Sequence, residues 1–191
     1  MSFAEVEKVG ALLGGLRCEW YVCGGWAIDL FVGRVTRAHK DVDVCVARRD
    51  QAEACDYLLR RGWGLEKAFE GELSPWREGE TLAPAVHAVW CRSEAHDPGF
   101  VELLFDEIDD RRFRFRRDPT VTMERGRMSF KSSTGLPVLA PEIVLLYKAS
   151  RAEEHAADFR CAASALDDEG RAWLRAALEK VYARHPWLEE L

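Results

Sequence analysis

The chain has 191 residues, 48% hydrophobic and 31% charged, which fits one globular domain or a domain with a helical appendage and excludes a disordered chain. With 27 Lys and Arg against 33 Asp and Glu, the formal net charge of −6 offers no global positive field for a polyanion. Bulk nucleic-acid binding is therefore disfavoured, and an acidic surface suits a cationic small molecule. Charges interrupt every hydrophobic run, so no membrane span is expected, and Glu5, Glu7 and Lys8 fall where a secretory leader would be apolar. The expected location is the cytoplasm. The six cysteines (Cys18, Cys23, Cys45, Cys55, Cys91, Cys161) form no C-x-x-C pair and read as reduced, small core residues rather than zinc ligands.

In chain order, Ser2-Phe3-Ala4-Glu5 has capping-box spacing, and Val6, Val9, Leu12 and Leu13 recur at helical intervals until Gly14-Gly15. The short aromatic and β-branched run Glu19-Trp20-Tyr21-Val22 reads as a strand that ends in the glycine turn Cys23-Gly24-Gly25. A helix over 26–32 follows, closed by Gly33 in a left-handed conformation. A polar loop over 34–40 leads into Asp41-Val42-Asp43-Val44-Cys45-Val46, the cleanest strand alternation in the sequence. A helix starts at Asp50 with Ala54, Tyr57, Leu58 and Leu59 on its buried face, and residues 71–84, with two prolines and two glycines, read as a long loop. Strands are predicted over 86–92, 100–105, 112–116 and near 128–131. Pro141 then opens the first of three helices, and Pro186 ends the last. The organisation is a core of residues 1–136 and a C-terminal helical region of residues 137–191 that packs on the site.

On a strand, Asp41 and Asp43 share one face about 6.6 Å apart along the chain, while Val42, Val44 and Val46 pack on the other. Two carboxylates so close are relieved by a divalent cation, an arginine or a raised pKa. Upstream, strand, Gly24-Gly25 and helix start form a layout in which backbone N–H groups can hold phosphate oxygens, and Arg37 can add a guanidinium.

The run Gly24-Gly25-Trp26-Ala27-Ile28-Asp29, followed by Gly33-Arg34-Val35-Thr36-Arg37-x-His39-x-Asp41-x-Asp43, closely resembles the antibiotic nucleotidyltransferases, above all the aminoglycoside 2''-adenylyltransferases, and is similar to the lincosamide enzymes. A looser resemblance to the C-terminal helices of small nucleotidyltransferase-fold proteins covers Ala140-Pro141-Glu142, Leu145-Leu146-Tyr147-Lys148-Ala149 and Asp158-Phe159. The resemblance implies an α+β, polymerase-β-like core, a mixed sheet flanked by helices, with ATP as co-substrate and two Mg²⁺. It implies that Gly24 and Gly25 contact the triphosphate and that Asp41 and Asp43 hold metal. A third carboxylate is expected on a neighbouring strand. Glu102 is preferred because it interrupts the apolar run Phe100-Val101-Glu102-Leu103-Leu104-Phe105; Asp106, of the same parity, is the runner-up, and the family usually has aspartate.

Lys148 is the candidate to neutralise departing pyrophosphate, against a reading as a solvent-facing helix lysine. Glu102 or an acid of the tail helices would take the proton of the attacking hydroxyl. His39 reads as orienting a carboxylate or the loop, and Glu142 as stabilising a helix start. The alternation of Arg111, Arg112, Arg114, Arg116 and Arg117 with Phe113 and Phe115 reads as a strand with its arginines in solvent and only its edge near a phosphate. Trp63, Trp76 and Trp90 read as core. The implied reaction moves a nucleoside monophosphate, AMP from ATP, to a hydroxyl of a small cationic acceptor, an aminoglycoside-type antibiotic. The alternatives are transfer to a protein or RNA, and a non-catalytic, antitoxin-like module of the same fold.

Overall fold

The computed structural model describes residues 2–191. Helix α1 (Ala4–Leu13) buries Val6, Val9 and Leu13, and strand β1 (Trp20–Val22) follows it. Helix α1 is preceded by Phe3 with no side-chain cap, so the capping box suggested by Ser2 and Glu5 is not formed. Helix α2 (Gly24–Val32) starts at the glycine pair itself rather than at Trp26, and Gly33 closes it with φ +80° as the sequence suggests. Strand β2 (Asp43–Ala47) begins at the second aspartate, so Asp41 belongs to the approach to the strand and not to the strand.

Helix α3 (Gln51–Leu59) leads to the hairpin of β3 (Gly64–Phe69) and β4 (Glu72–Pro75), whose second strand lies where the sequence suggested the start of a loop. All four residues of β4 are exposed, so the strand has no buried face to give it an alternating pattern. Strands β5 (Ala88–Arg92) and β6 (Phe100–Ile108) fall where expected. They are followed by the short strands β7 (Arg112–Arg114), β8 (Thr122–Glu124), β9 (Ser129–Lys131) and β10 (Pro137–Leu139). Helices α4 (Pro141–Lys148), α5 (Ala156–Ala163) and α6 (Asp168–Val181) complete the chain, before a short turn of helix at Pro186–Glu189.

The strands form one mixed sheet in the order β4-β3-β5-β6-β2-β1-β10-β9, with β7 joined to β6 and β8 to β7. The pairs β2–β6 and β1–β10 are parallel and the remainder antiparallel. This is the α+β architecture anticipated, with helices flanking a mixed sheet. Its core runs through Val22, Val44, Val46, Leu103 and Phe105 in the sheet and Ile28, Leu145 and Leu146 in the helices. Helix α2 packs on both α4 and α5, which fixes the C-terminal helices over the start of β2. All six cysteines are free, and Cys23, Cys45, Cys55 and Cys91 are buried. Among the described residues no helix is long and apolar enough to cross a membrane.

Candidate active site

The parallel pairing of β2 with β6 sets Asp43 directly opposite Glu102 and Ala47 opposite Asp106. Side chains of one parity share a face of the sheet, so Asp43 and Glu102 emerge on the same side. Asp41, just before β2, reaches back to them, and one carboxylate oxygen from each of Asp41, Asp43 and Glu102 lies within 4.8 Å of the other two.

The electrostatics of this cluster are unfavourable without a counter-ion. Burial, together with the charges of Asp41 and Glu102, pushes the Asp43 carboxyl up to about 7, even though Lys148 and Arg37 act to lower it. Burial also raises Glu102, partly offset by a hydrogen bond donated by Trp90 Nε1 at 3.1 Å. Hard carboxylate oxygens that converge and repel are the donor set that a Mg²⁺-type cation accepts.

Asp106 is not part of this group. Its fully buried carboxyl accepts the Tyr147 hydroxyl at 2.5 Å and lies 3.5 Å from the Cys45 thiol. It ties β6 to α4.

The glycine pair is dictated by close approach. Gly24 has φ +61°, and a Cβ placed there would lie 1.7 Å from Asp43 Oδ2. A Cβ on Gly25 would meet Arg37 Nη2 at 2.5 Å and His39 Nδ1 at 2.6 Å. The first turn of α2 thus sits against a carboxylate and a guanidinium, with its free N–H groups at one end of the cavity.

Arg37 and Lys148 both line this cavity, and both are engaged by Asp158. Arg37 donates from Nε and Nη2 to the two carboxylate oxygens at 2.9 and 3.0 Å, and Lys148 Nζ lies 2.8 Å from Oδ2. Burial would raise Asp158, but the bonds from Arg37 and Lys148 outweigh it and hold the carboxyl at about 2. The solvent-facing alternative for Lys148 is thereby excluded, its side chain being only 11% exposed.

His39 does orient the loop. Its Nε2 lies 2.6 Å from Asp29 Oδ2, while Asp29 Oδ1 accepts the Thr36 hydroxyl at 2.5 Å. Its ring lies against Trp26, with centroids 4.3 Å apart, and Trp26 Nε1 donates to the Asp41 carbonyl at 3.0 Å. Asp29, Thr36, His39 and Trp26 therefore fix the segment that carries Arg37 and Asp41. Glu142 sits in the first turn of α4 beside Arg127 and does not line the cavity.

The cavity has a volume of about 410 Å³. Sequence reasoning missed its far wall, which includes His87, Tyr147, Glu154 and His155. Phe113 and Phe115 point inward as expected, while Arg116 and Arg117, at the end of the run, line the cavity, Arg117 remaining exposed, with guanidinium carbons 5.1 and 5.6 Å from the centre of the Tyr147 ring. The one local signal was the break of alternation at the doublet Arg116-Arg117. Burial, then the charges of Arg116 and Arg48, lower His87 to about 4, so it is neutral at pH 7. Trp63 and Trp76 are core residues, whereas Trp90 is only half-buried and supports Glu102.

A mixed sheet flanked by helices, a helix opening on Gly-Gly, and facing carboxylates on the next strands define a nucleotidyltransferase-type fold. Residues 5–74 match the family described as aminoglycoside-2''-adenylyltransferase. The solution structure of the antibiotic-resistance factor ANT(2'')-Ia superimposes with a TM-score of 0.61 at 20% identity, covering 94% of this chain and 92% of that one. The crystal structure of ANT(2'')-Ia with adenylyl-2''-tobramycin gives 0.61 at 18% identity over 92% and 95% of the two chains. That of the lincosamide adenylyltransferase LnuA with lincomycin gives 0.60 at 14% over 87% and 99%. No curated protein sequence matches the chain. The family match over residues 5–74 and the shared fold bear out the resemblance to antibiotic nucleotidyltransferases seen in residues 24–43.

Proposed function

We propose that the protein is a Mg²⁺-dependent adenylyltransferase that moves AMP from ATP to a hydroxyl of a small antibiotic, of aminoglycoside type, in the cytoplasm. The observation that carries this reading is the convergence of Asp41, Asp43 and Glu102 within 4.8 Å beside the glycine-led start of α2. These three carboxylates would hold the two metal ions, which when bound stabilise negative charge on the attacking and leaving oxygens of an in-line displacement at phosphorus.

The chain's own groups supply the remainder. Backbone N–H groups at Gly24 and Gly25 face the phosphates, and Arg37 and Lys148 neutralise the pyrophosphate end. Asp158, held at about 2 by Arg37 and Lys148, is a poor acceptor for the hydroxyl proton, a role left to Glu102 or to Glu154 of the tail. In this reading residues 1–136 are the transferase core, and residues 137–191 pack on the site through Lys148, Arg151 and His155, all of which line the cavity. A cavity walled in this way favours a small acceptor over a protein or RNA, and the net charge of −6 favours a cationic one.

The test is incubation with MgATP and a panel of aminoglycosides and lincosamides, read by mass spectrometry. An acceptor heavier by one adenylyl group supports the proposal, and no adduct across the panel removes the antibiotic assignment.

A further inference from the structure

Asp158 joins parts of the molecule that are remote in sequence. It lies in the first turn of α5, 121 residues from Arg37, and its side chain is 5% exposed. Three N–H donors converge on it, two from Arg37 and one from Lys148. Each cation keeps donor capacity beyond that bond. The Arg37 guanidinium has five N–H groups and the Lys148 ammonium three. Arg37 Nη1 also reaches the Ala38 carbonyl at 3.2 Å, and Nη2 lies against Gly25, where a Cβ would be 2.5 Å away. Lys148 is on α4 and Arg37 is in the loop before β2, so nothing in the local chain keeps these mutually repelling cations together. The shared carboxylate does so, and it leaves the trio with a net positive charge at the N-terminal end of α2. An Arg–Asp pair alone at the surface would contribute little, but a buried carboxylate with charge-assisted bonds to both oxygens fixes geometry.

We propose that Asp158 is a positioning residue for the triphosphate: it fastens Arg37 and Lys148 as a pair beside Gly25, so that the C-terminal helices set how tightly the β- and γ-phosphates, and then pyrophosphate, are held. This rests on the nucleotidyltransferase reading above. It goes beyond a staple between α5 and the core, because a staple would change stability without distinguishing among nucleotides by phosphate number.

The experiment measures binding of MgATP, AMP and magnesium pyrophosphate to the full chain and to Asp158→Asn, Asp158→Glu and Lys148→Gln, with the melting temperature of each. Loss of charge-assisted hydrogen bonds of this kind predicts that Asp158→Asn weakens MgATP and pyrophosphate by roughly tenfold or more while AMP changes by less than about twofold. Asp158→Glu recovers part of the loss. Lys148→Gln, in which Asp158 keeps Arg37, shows the same selective loss, and adding Asp158→Asn to it costs less than the two changes summed. Equal weakening of all three ligands, or full pyrophosphate affinity in Asp158→Asn, overturns the positioning role and leaves the transferase reading in place. A wild-type chain that binds neither MgATP nor pyrophosphate overturns both. If Asp158→Asn does not fold, Asp158→Glu decides: a loss confined to MgATP and pyrophosphate upholds the positioning role, and a uniform loss or full pyrophosphate affinity overturns it.

Discussion

Asp43 and Glu102 face each other across the parallel strands β2 and β6, two carboxylates placed by backbone register on one side of the sheet. Among the described residues neither is in a salt bridge with an arginine or lysine, and the nearby Arg37 and Lys148 pair with Asp158 instead. A protein gains no stability from that arrangement, since like charges at the edge of an apolar core raise each other's proton affinity. The arrangement makes sense as a receptor for cations, and its consequences are measurable.

Asp43→Asn removes charge without changing volume. Turnover should fall by at least about 10²-fold, on the scale seen when a group stabilising transition-state charge is lost. The melting temperature in EDTA should stay the same or rise. Adding Mg²⁺ should raise the melting temperature of the wild type and leave that of the variant nearly unchanged; equal stabilisation of both would remove Asp43 from the metal site.

Glu102 and Asp106 should separate cleanly. Glu102→Gln is expected to abolish metal-dependent transfer while the protein keeps its stability. Asp106→Asn or Tyr147→Phe should cost about 1–2 kcal/mol in denaturant unfolding through the lost bond between β6 and α4 while retaining most turnover. The reverse pattern would make Asp106 the third ligand.

Gly24→Ala forces φ +61° on a residue with a Cβ and drives that atom into Asp43 Oδ2. The expected stability loss is about 1–2 kcal/mol, and steady-state kinetics should show a far larger loss of transfer than the stability change explains. Retention of wild-type kinetics would mean that the turn and the carboxylate can separate freely.

The two aspartates, the glycine pair and Glu102 were legible because each breaks a pattern: carboxylates on an alternating strand, two glycines at a strand end, one acid in an apolar run. Helix α4 was legible from Pro141 and its apolar spacing. The hairpin of β3 and β4 was not, because β4 buries nothing and so carries no period. Arg116, Arg117 and His87 were not, because their place in the cavity follows from how the C-terminal helices fold back. Asp158 was visible only as part of a motif, since its partner Arg37 lies 121 residues away.

Asp158 also sets a pH dependence. Its folded carboxyl is held at about 2 against an ordinary 3.8, so its stabilising contribution is present above about pH 4 and is lost as the pH falls towards 2. The contribution is roughly 2 kcal/mol at most. Denaturant unfolding of wild type and Asp158→Asn compared between pH 5 and pH 2 (about three units) should show the gap between them narrowing as acid is added. A gap that stays constant would contradict the assigned ion pairs.

His39→Gln should lower turnover by disturbing the loop that Asp29 anchors, without moving the pH at which turnover is half-maximal. A shifted profile would make His39 a proton carrier instead.

The most direct test is anomalous diffraction from crystals grown with Mn²⁺ and a non-hydrolysable ATP analogue. Manganese peaks among the oxygens of Asp41, Asp43 and Glu102, with the triphosphate against Gly24 and Gly25, are the expected result. Manganese bound elsewhere, or a triphosphate seated away from the start of α2, would contradict the account.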